Sequence, residues 1–258
     1  MREMQQEERL KIIMQLLHER TRLTTREIAE HFAISFDTAR RDVIKLTATG
    51  QAMRIHGGLM AINQQDVPDF LARSQIQSPL KKKMAQVAKK FIHQGDLAYI
   101  GPSTTLQLLC QLLNGEDLTV VTNSIDNALA LLASPLPKVK LLAGDLAKDN
   151  RWTYSAAALA SLKLMRPNIA LVGTSLVRQD GIYLPNSKDA ELIRTATTRA
   201  RKVVVIAEKF KFINENNSPF LATSLDKIDV LITDVSLPDE YRTWFNPRTQ
   251  IISGSRKE

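Results

Sequence analysis

Apolar side chains fall at Leu10, Ile13, Leu16 and Leu17, with Ile12 and Met14 beside them, which predicts a helix over Gln5–His18 with one buried stripe. Ile28, Ala29 and Phe32 form the inner face of a second helix, Thr25–Phe32, capped by Thr24 or Thr25. After the short turn Ala33-Ile34, Ser35 caps a third helix that runs from Phe36 to about Thr49 and is stopped by Gly50. Val43 and Leu46, with Phe36 and Ala39, are expected to pack inward, which leaves Arg40, Arg41 and Lys45 outward. Met53-Arg54-Ile55-His56-Gly57-Gly58 then reads as a basic hairpin tip. Helices joined by a tight turn and followed by a hairpin make a winged helix-turn-helix, a build that reads the DNA major groove.

The pattern changes further along. Leu59 to Pro79 is polar, is broken by Pro68 and Pro79, and has no clear periodicity beyond some helix around Phe70–Ile76. Beyond it, short apolar runs at Leu97–Ile100, Leu118–Val121, Val139–Leu142, Ile169–Val172, Val203–Ala207, Val230–Ile232 and Thr249–Ile252 predict strands. Helical stretches separate most of them: Met84–Ile92, Leu106–Leu113, a helix reaching Ala133, Ser155–Leu164, Lys188–Arg201 and Asp239–Phe245. Such alternation predicts an α/β domain with a mainly parallel sheet covered on both faces. The expected organisation is a winged helix-turn-helix over 1–58, a linker over 59–79, and an α/β effector-sensing and oligomerisation domain over 80–258.

Charge and composition narrow the function less than the pattern does. The net charge of +8 invites a nucleic-acid partner, yet residues 1–58 carry ten Lys/Arg against eight Asp/Glu. The case for DNA therefore rests on where the arginines stand. The run Lys81-Lys82-Lys83 reads as a solvated face. A lone cysteine, Cys110, excludes an internal disulfide and fits a reducing compartment. Met1 to Arg9 is polar and no apolar run approaches the roughly 20 residues that span a bilayer, so a cytoplasmic protein without a membrane partner is expected. His18, His31, His56 and His93 form no ligand-spaced cluster, and neither a metal nor a cofactor is expected. Trp152, Trp244 and Tyr154 read as packing residues, with Trp152 and Tyr154 alternatively flanking a ligand mouth.

Two constellations carry chemistry. Ser35, Asp37, Thr38, Arg40 and Arg41 occupy the first two turns of the third helix, the turns that meet base edges and phosphates. Either arginine suits a guanine through two hydrogen bonds or a phosphate through its charge. The second constellation lies beyond the strands, where open parallel sheets bind ligands. Gly101-Pro-Ser-Thr-Thr105, Thr122-Asn-Ser124 and Ala143-Gly144 open helices with small hydroxyl and glycine residues. Their free N–H groups and the hydroxyls of Ser103, Thr104, Thr105, Thr122 and Ser124, with Asn123 and Gly144, suit a phosphate.

Thr24-Thr25-Arg-Glu-Ile-Ala-Glu-His-Phe, Ser35-Phe-Asp-Thr-Ala-Arg-Arg-Asp and Gly50-Gln-Ala-Met-Arg-Ile-His-Gly-Gly58 resemble the DeoR-type bacterial repressors, whose pattern is S-x-x-T-[IA]-R-R-D-L, then G and R-x-H-G-G. The resemblance implies DNA contacts from Thr24, Thr25, Lys45, Arg54 and His56 beside the five helix residues. It continues through Val121-Thr-Asn-Ser124, Val204-Val-Ile-Ala-Glu-Lys-Phe-Lys-Phe212 and Ile228-Asp-Val-Leu-Ile-Thr-Asp234. It thus covers nearly the whole chain, and implies a sugar-phosphate sensor related in fold to ribose-5-phosphate isomerase. Glu208 and Lys211 stand at that sensor's acid and lysine, and dimers or tetramers are implied.

Several positions depart from the family. Gly101 replaces the first-loop acid, Ser103 its glycine, Asp145 the second glycine of a pair and Phe210 a hydroxyl, while Glu208 lengthens an aspartate. Asp145 disfavours an anion unless Lys211, Lys209 or Arg194 compensates. The expected function is a repressor of a sugar or nucleoside catabolic operon, governed by a phosphorylated sugar. The alternatives are a sensor that binds no phosphosugar and an isomerase-like enzyme built on Glu208 and Lys211. The missing first-loop acid counts against the enzyme, and no catalytic residue is assigned.

Overall fold

The computed structural model describes residues 5–20, 22–48, 52–55, 57–61, 70–74, 79–213 and 216–254. The chain divides into two compact units, Met1–Pro79 and Leu80–Glu258.

The first unit holds α1 (Gln6–Arg20), β1 (Arg22–Thr24), α2 (Thr25–His31), α3 (Phe36–Ala48), β2 (Ala52–Ile55) and β3 (Gly58–Ala61). Thr24 starts α2 with a capping box: its hydroxyl accepts from the Glu27 amide at 3.1 Å, and its own amide donates to the Glu27 carboxylate at 2.6 Å. Those bonds pull the Glu27 carboxyl below its ordinary range, the Thr24 backbone amide acting most strongly. Ile13, Leu17, Leu23, Ile28, Ala39, Val43, Leu46, Ala52 and Leu59 close the core. Each fully buried leucine or isoleucine contributes about 1.5–3 kcal/mol.

The three strands lie in the order β1-β3-β2. Gly58 is what admits β1, since a Cβ there would stand 2.1 Å from the Leu23 carbonyl oxygen. Leu59 was expected to begin a linker, but it is buried inside β3, and the hairpin runs on to Ala61. A short helix, α4 (Phe70–Ser74), follows within the expected linker. The predicted helix stop Gly50 and the hairpin residue His56 lie outside the described residues, as does the rest of the linker over 62–69 and 75–78.

One inward assignment fails. Phe36 is 58% exposed, because α3 begins at this residue and its core positions, Ala39, Val43 and Leu46, start one turn later. Its angle on the helix is right, but the core does not extend to the helix's first residue.

The second unit begins with α5 (Pro79–Lys89), β4 (Leu97–Ile100), α6 (Thr104–Leu112), β5 (Thr119–Thr122), α7 (Ile125–Ala130) and β6 (Lys138–Leu141). It continues through β7 (Asp145–Ala147), β8 (Trp152–Tyr154), α8 (Ala156–Lys163), β9 (Ile169–Gly173), β10 (Leu176–Arg178), β11 (Gly181–Leu184) and α9 (Ser187–Arg199). The last elements are β12 (Lys202–Ile206), β13 (Phe220–Thr223), β14 (Val230–Thr233), α10 (Asp239–Arg242) and β15 (Gln250–Ser253). Seven strands form one parallel sheet in the order β15-β14-β12-β9-β4-β5-β6.

Side chains alternate between two cores along these strands. Tyr99, Val121, Val172, Val203 and Val205 face α8 and α9, packing with Leu162, Leu192, Ile193 and Ala196. Ala98, Ile100, Val120, Leu171, Val204 and Ile206 face α5 and α6, packing with Met84, Ala88, Leu106, Leu109 and Cys110. Burial on both faces is why these strands read as continuous apolar runs. The hairpin β7–β8 and a small antiparallel sheet, β10-β11-β13, are additions the pattern did not predict.

Candidate functional site

On the first unit, the exposed residues of α3 are Phe36, at its first position, and Asp37, Arg40, Arg41, Ile44 and Lys45. Ser35 precedes the helix as its cap. Its oxygen accepts from the Thr38 amide at 3.2 Å and lies 2.9 Å from the Thr38 hydroxyl. Free N–H groups and the helix dipole make this end favourable to anions.

The third member of the Arg40-Arg41-Asp42 run points the other way. Asp42 is fully buried and ion-paired to Arg9 at 2.6 Å, with a second bond at 3.2 Å, and it accepts from Gln6 at 2.9 Å. Gln6 in turn accepts from Lys45 at 3.1 Å. From its place in the run, Asp42 reads as a helix-surface partner for an arginine rather than a DNA contact; the structure does pair it with an arginine, but in a buried lock between α1 and α3.

Among the other expected contacts, Arg54 is exposed on β2. Thr24 is exposed, but its hydroxyl is engaged in the capping box. Thr25 is buried, and its amide donates to the Gly57 carbonyl at 2.8 Å, tying α2 to the hairpin.

On the second unit, strand order reverses between β4 and β9, and ligands of such sheets settle outside the carboxyl ends at this crevice. The loop after β4 carries Gly101 and Ser103 and leads into Thr104 and Thr105 at the start of α6, and β9 ends at Gly173. Gly173 leaves room for its neighbour, since a Cβ there would lie 3.0 Å from that of Ser103. Ser103 caps α6 by accepting from the Thr105 amide at 3.3 Å.

The loop after β5 is tied to the loop after β4. Thr122 donates to the Ile100 carbonyl at 2.6 Å, and Asn127 donates to the Gly101 carbonyl at 2.9 Å and to the Thr122 hydroxyl at 3.3 Å. Thr122, Asn123 and Ser124 are all buried. Asn123 accepts from the Tyr99 hydroxyl at 2.9 Å and donates toward Asp189 at 3.4 Å, while Ser124 caps α7. Burial, then the Asp189 carboxylate, pushes the Tyr99 phenol up, so it stays a proton donor. These three residues therefore brace the loops from beneath.

Glu208 and Lys211 follow β12, which β9 separates from β4. Glu208 is half-buried at the start of a 3-10 turn, Lys209–Phe212. Lys211 is buried, with its ammonium 4.5 Å from the Phe210 ring centre. Gly144 follows β6 and lies against the Tyr154 backbone, and Asp145 beside it is exposed. Arg194 donates to the Leu221 carbonyl in β13, an engagement not anticipated for a residue expected to offset Asp145. Trp152 is buried, and Tyr154 donates to Glu191 at 2.8 Å.

One residue at these loops was missed by the sequence reading. Lys81, read as part of a solvated run, is buried with its ammonium 3.4 Å from the Thr104 hydroxyl. The signal was present: Lys81 shares helical spacing with Met84, Ala85 and Ala88, the buried residues of α5. No group of three or more His, Cys, Asp or Glu among the described residues could hold a metal ion. A shallow cavity of about 380 Å³ lies elsewhere, lined by Gln179, Asp180, Leu225, Asp226, Trp244, Phe245 and Asn246.

Residues 9–65 match the DeoR-like helix-turn-helix domain, and residues 76–235 match the DeoR C terminal sensor domain. The HTH-type transcriptional repressor GlcR of Bacillus subtilis is 33% identical, over 92% of this chain and 91% of its own length. The L-fucose operon activator of Haemophilus influenzae is 26% identical over 90% and 94%, and the glycerol-3-phosphate regulon repressor of Escherichia coli 25% over 91% and 93%. Among solved structures, ribose 5-phosphate isomerase A from Neisseria gonorrhoeae is similar with a TM-score of 0.36 and 16% identity, over 53% of this chain and 54% of that one. With an arginine-bearing helix-turn-helix and a parallel-sheet sensor unit on one chain, and both of its domain models matched, the protein belongs to the DeoR family of DNA-binding transcriptional regulators.

Proposed function

We propose that this protein represses a sugar or nucleoside catabolic operon, binding its operator as a dimer or tetramer and responding to a phosphorylated sugar. The observation that carries the DNA side is the division within one tripeptide: Arg40 and Arg41 are exposed while Asp42 is buried and paired. Two guanidinium groups on the first turns of α3 suit base edges and phosphates together, with Ser35, Asp37, Thr38, Lys45, Arg54 and His56 as the surrounding contacts. One winged unit covers only a short site, so repeated half-sites read by an oligomer follow.

The effector side rests on the loops after β4, β5, β6, β9 and β12. Ser103, Thr104 and Thr105 open a helix toward the crevice, and the buried ammonium groups of Lys81 and Lys211 supply positive charge for a phosphate. Thr122, Asn123, Ser124 and Gly144 shape the loops, and Glu208 takes a sugar hydroxyl. The names of similar proteins support this class of effector: they include a lactose phosphotransferase system repressor of Streptococcus mutans and the glycerol-3-phosphate regulon repressor. Repression is preferred over activation on the likeness to the repressor GlcR. Turnover of the effector is not part of the proposal, because Gly101 stands where an isomerase needs an acid. The cytoplasm is the natural place for this work, and no helix among the described residues is long and apolar enough to cross a membrane.

Replacing Arg40 and Arg41 together with alanine tests the DNA reading. Loss of operator affinity by at least about a hundredfold is expected if one arginine grips a base and the other a phosphate, with the salt dependence flattened by about one unit of log–log slope. Full-length variant with undiminished, salt-sensitive operator binding would refute it.

A further inference from the structure

We infer that Phe36 is a sequence-selecting residue of the recognition helix, packing against the 5-methyl group of a thymine in each operator half-site. The inference rests on α3 being the helix that enters the major groove. Phe36 is the first residue of α3 and is 58% exposed, the most exposed aromatic side chain among the described large apolar residues. Its neighbours Ser35 and Asp37 are exposed, and Arg40, one turn along, is exposed on the adjoining surface. Phe36 is therefore continuous with the polar surface proposed to face the duplex, at the end of the helix that reaches deepest into the groove.

The chemistry of the side chain narrows what it can meet there. Phenylalanine has no donor or acceptor, so it is blind to the hydrogen-bonding pattern of the base edges. The one apolar group that base pairs offer in the major groove is the thymine methyl. Removing both surfaces from water provides the attraction, about fourfold in affinity for the area of one methyl group. Placing an aromatic ring against a cytosine or guanine edge instead desolvates polar groups with nothing in return, which turns the same contact into discrimination. A ring next to Arg40 thus demands a T·A pair beside the pair that the arginine meets.

The test uses the full-length protein and an operator selected by the wild type from a randomised duplex pool. Each thymine of the selected site is then replaced singly by deoxyuridine, which deletes the methyl group and keeps every hydrogen-bonding atom. Wild type is expected to lose about fourfold in affinity at one thymine per half-site. Phe36→Ala should bind the thymine and deoxyuridine duplexes alike, and should select a pool in which that thymine preference is gone while the others remain. Phe36→Leu, which keeps an apolar contact, should retain part of the preference. Circular dichroism and sedimentation of both variants should match wild type, since little buried volume is removed.

Two results would overturn the role of Phe36 while leaving α3 as the recognition helix: wild-type binding indifferent to deoxyuridine at every position, or an unchanged deoxyuridine profile in Phe36→Ala. A change of assembly state in Phe36→Ala with the selected sequence unaltered would also overturn it, assigning the ring to a protein contact. Failure of wild type to select any duplex would instead remove the recognition-helix reading and this inference with it.

Discussion

Asp42 shows how a single residue can be read correctly as part of a motif and wrongly as to its job. In sequence, Arg40, Arg41 and Asp42 are three charged neighbours, and a helix turns about 100° between each. That rotation carries Asp42 from the exposed surface to the interior, where Ala39, Val43 and Leu46 of the same helix are buried too. There it needs a cation, and Arg9 of α1 supplies one, 33 residues away along the chain. Such a pair is costly to break from one side, because the remaining charge stays buried without its partner. Asp42→Ala is therefore expected to destabilise the first unit by about 3–5 kcal/mol, whereas Arg9→Met combined with Asp42→Leu recovers most of that loss. Denaturation followed by circular dichroism measures both. Fluorescence is a control, since both tryptophans, Trp152 and Trp244, belong to the second unit and should keep the wild-type transition. If the single variant cost no more than an exposed ion pair, the lock would lose its role in holding α3 to α1.

Elements differed in how far the chain revealed them. The parallel strands were legible because both of their faces are buried: β9 and β12, Ile-Ala-Leu-Val-Gly and Lys-Val-Val-Val-Ile, have almost no polar interruption. Helices were legible wherever a capping residue stood before an apolar stripe, as Ser155 does for α8 and Ser124 for α7. What escaped were strands of three or four residues, whether exposed like β7, Asp-Leu-Ala, or mostly buried like β10, Leu-Val-Arg. Such short segments hold too few positions for a period of two to show. Asp180-Gly181, where the turn after β10 enters β11, is nonetheless a hairpin signal that could have been used. At the candidate site, sequence found the loops but not their support, since nothing in spacing says that Asn123 turns toward Tyr99 and Asp189.

The hairpin β7–β8 also makes a prediction at this scale. Gly144 precedes it, and a Cβ there would stand 2.0 Å from the Tyr154 carbonyl oxygen and 2.6 Å from the Ser155 amide. Both obstacles are backbone, so no side chain can swing aside. Gly144→Ala should cost about 2–3 kcal/mol and force the hairpin away from the loop after β6. Trp152, buried in β8, reports the movement directly: its emission should shift to the red in the folded variant. An unshifted spectrum with unchanged stability would mean that the hairpin adapts without leaving.

For the whole molecule, the question is how occupancy of one unit governs the other. A ligand shifts the DNA equilibrium only as far as it favours one arrangement over another, so the quantity to measure is the ratio of operator affinities with and without effector. Lys81 and Lys211 separate this coupling from DNA binding itself, because both belong to the second unit and neither is on α3. Lys81→Met keeps an apolar stem on the buried side of α5, which Met84 shares, and removes the charge next to Thr104. Each of Lys81→Met and Lys211→Ala should leave operator affinity in the absence of sugar phosphate within about twofold of wild type. Each should also reduce the effector's influence by about tenfold or more, the typical worth of a charge-assisted hydrogen bond to an anion. Sugar phosphates titrated into the protein–operator complex, with the corresponding free sugars alongside, provide the comparison. Retention of the full phosphate-dependent response by both variants would locate the phosphate away from the crevice between β4 and β9. Loss of the response in both, with free sugars still binding weakly, would fix the phosphate end of the effector at Ser103–Thr105 and leave its sugar end toward Glu208.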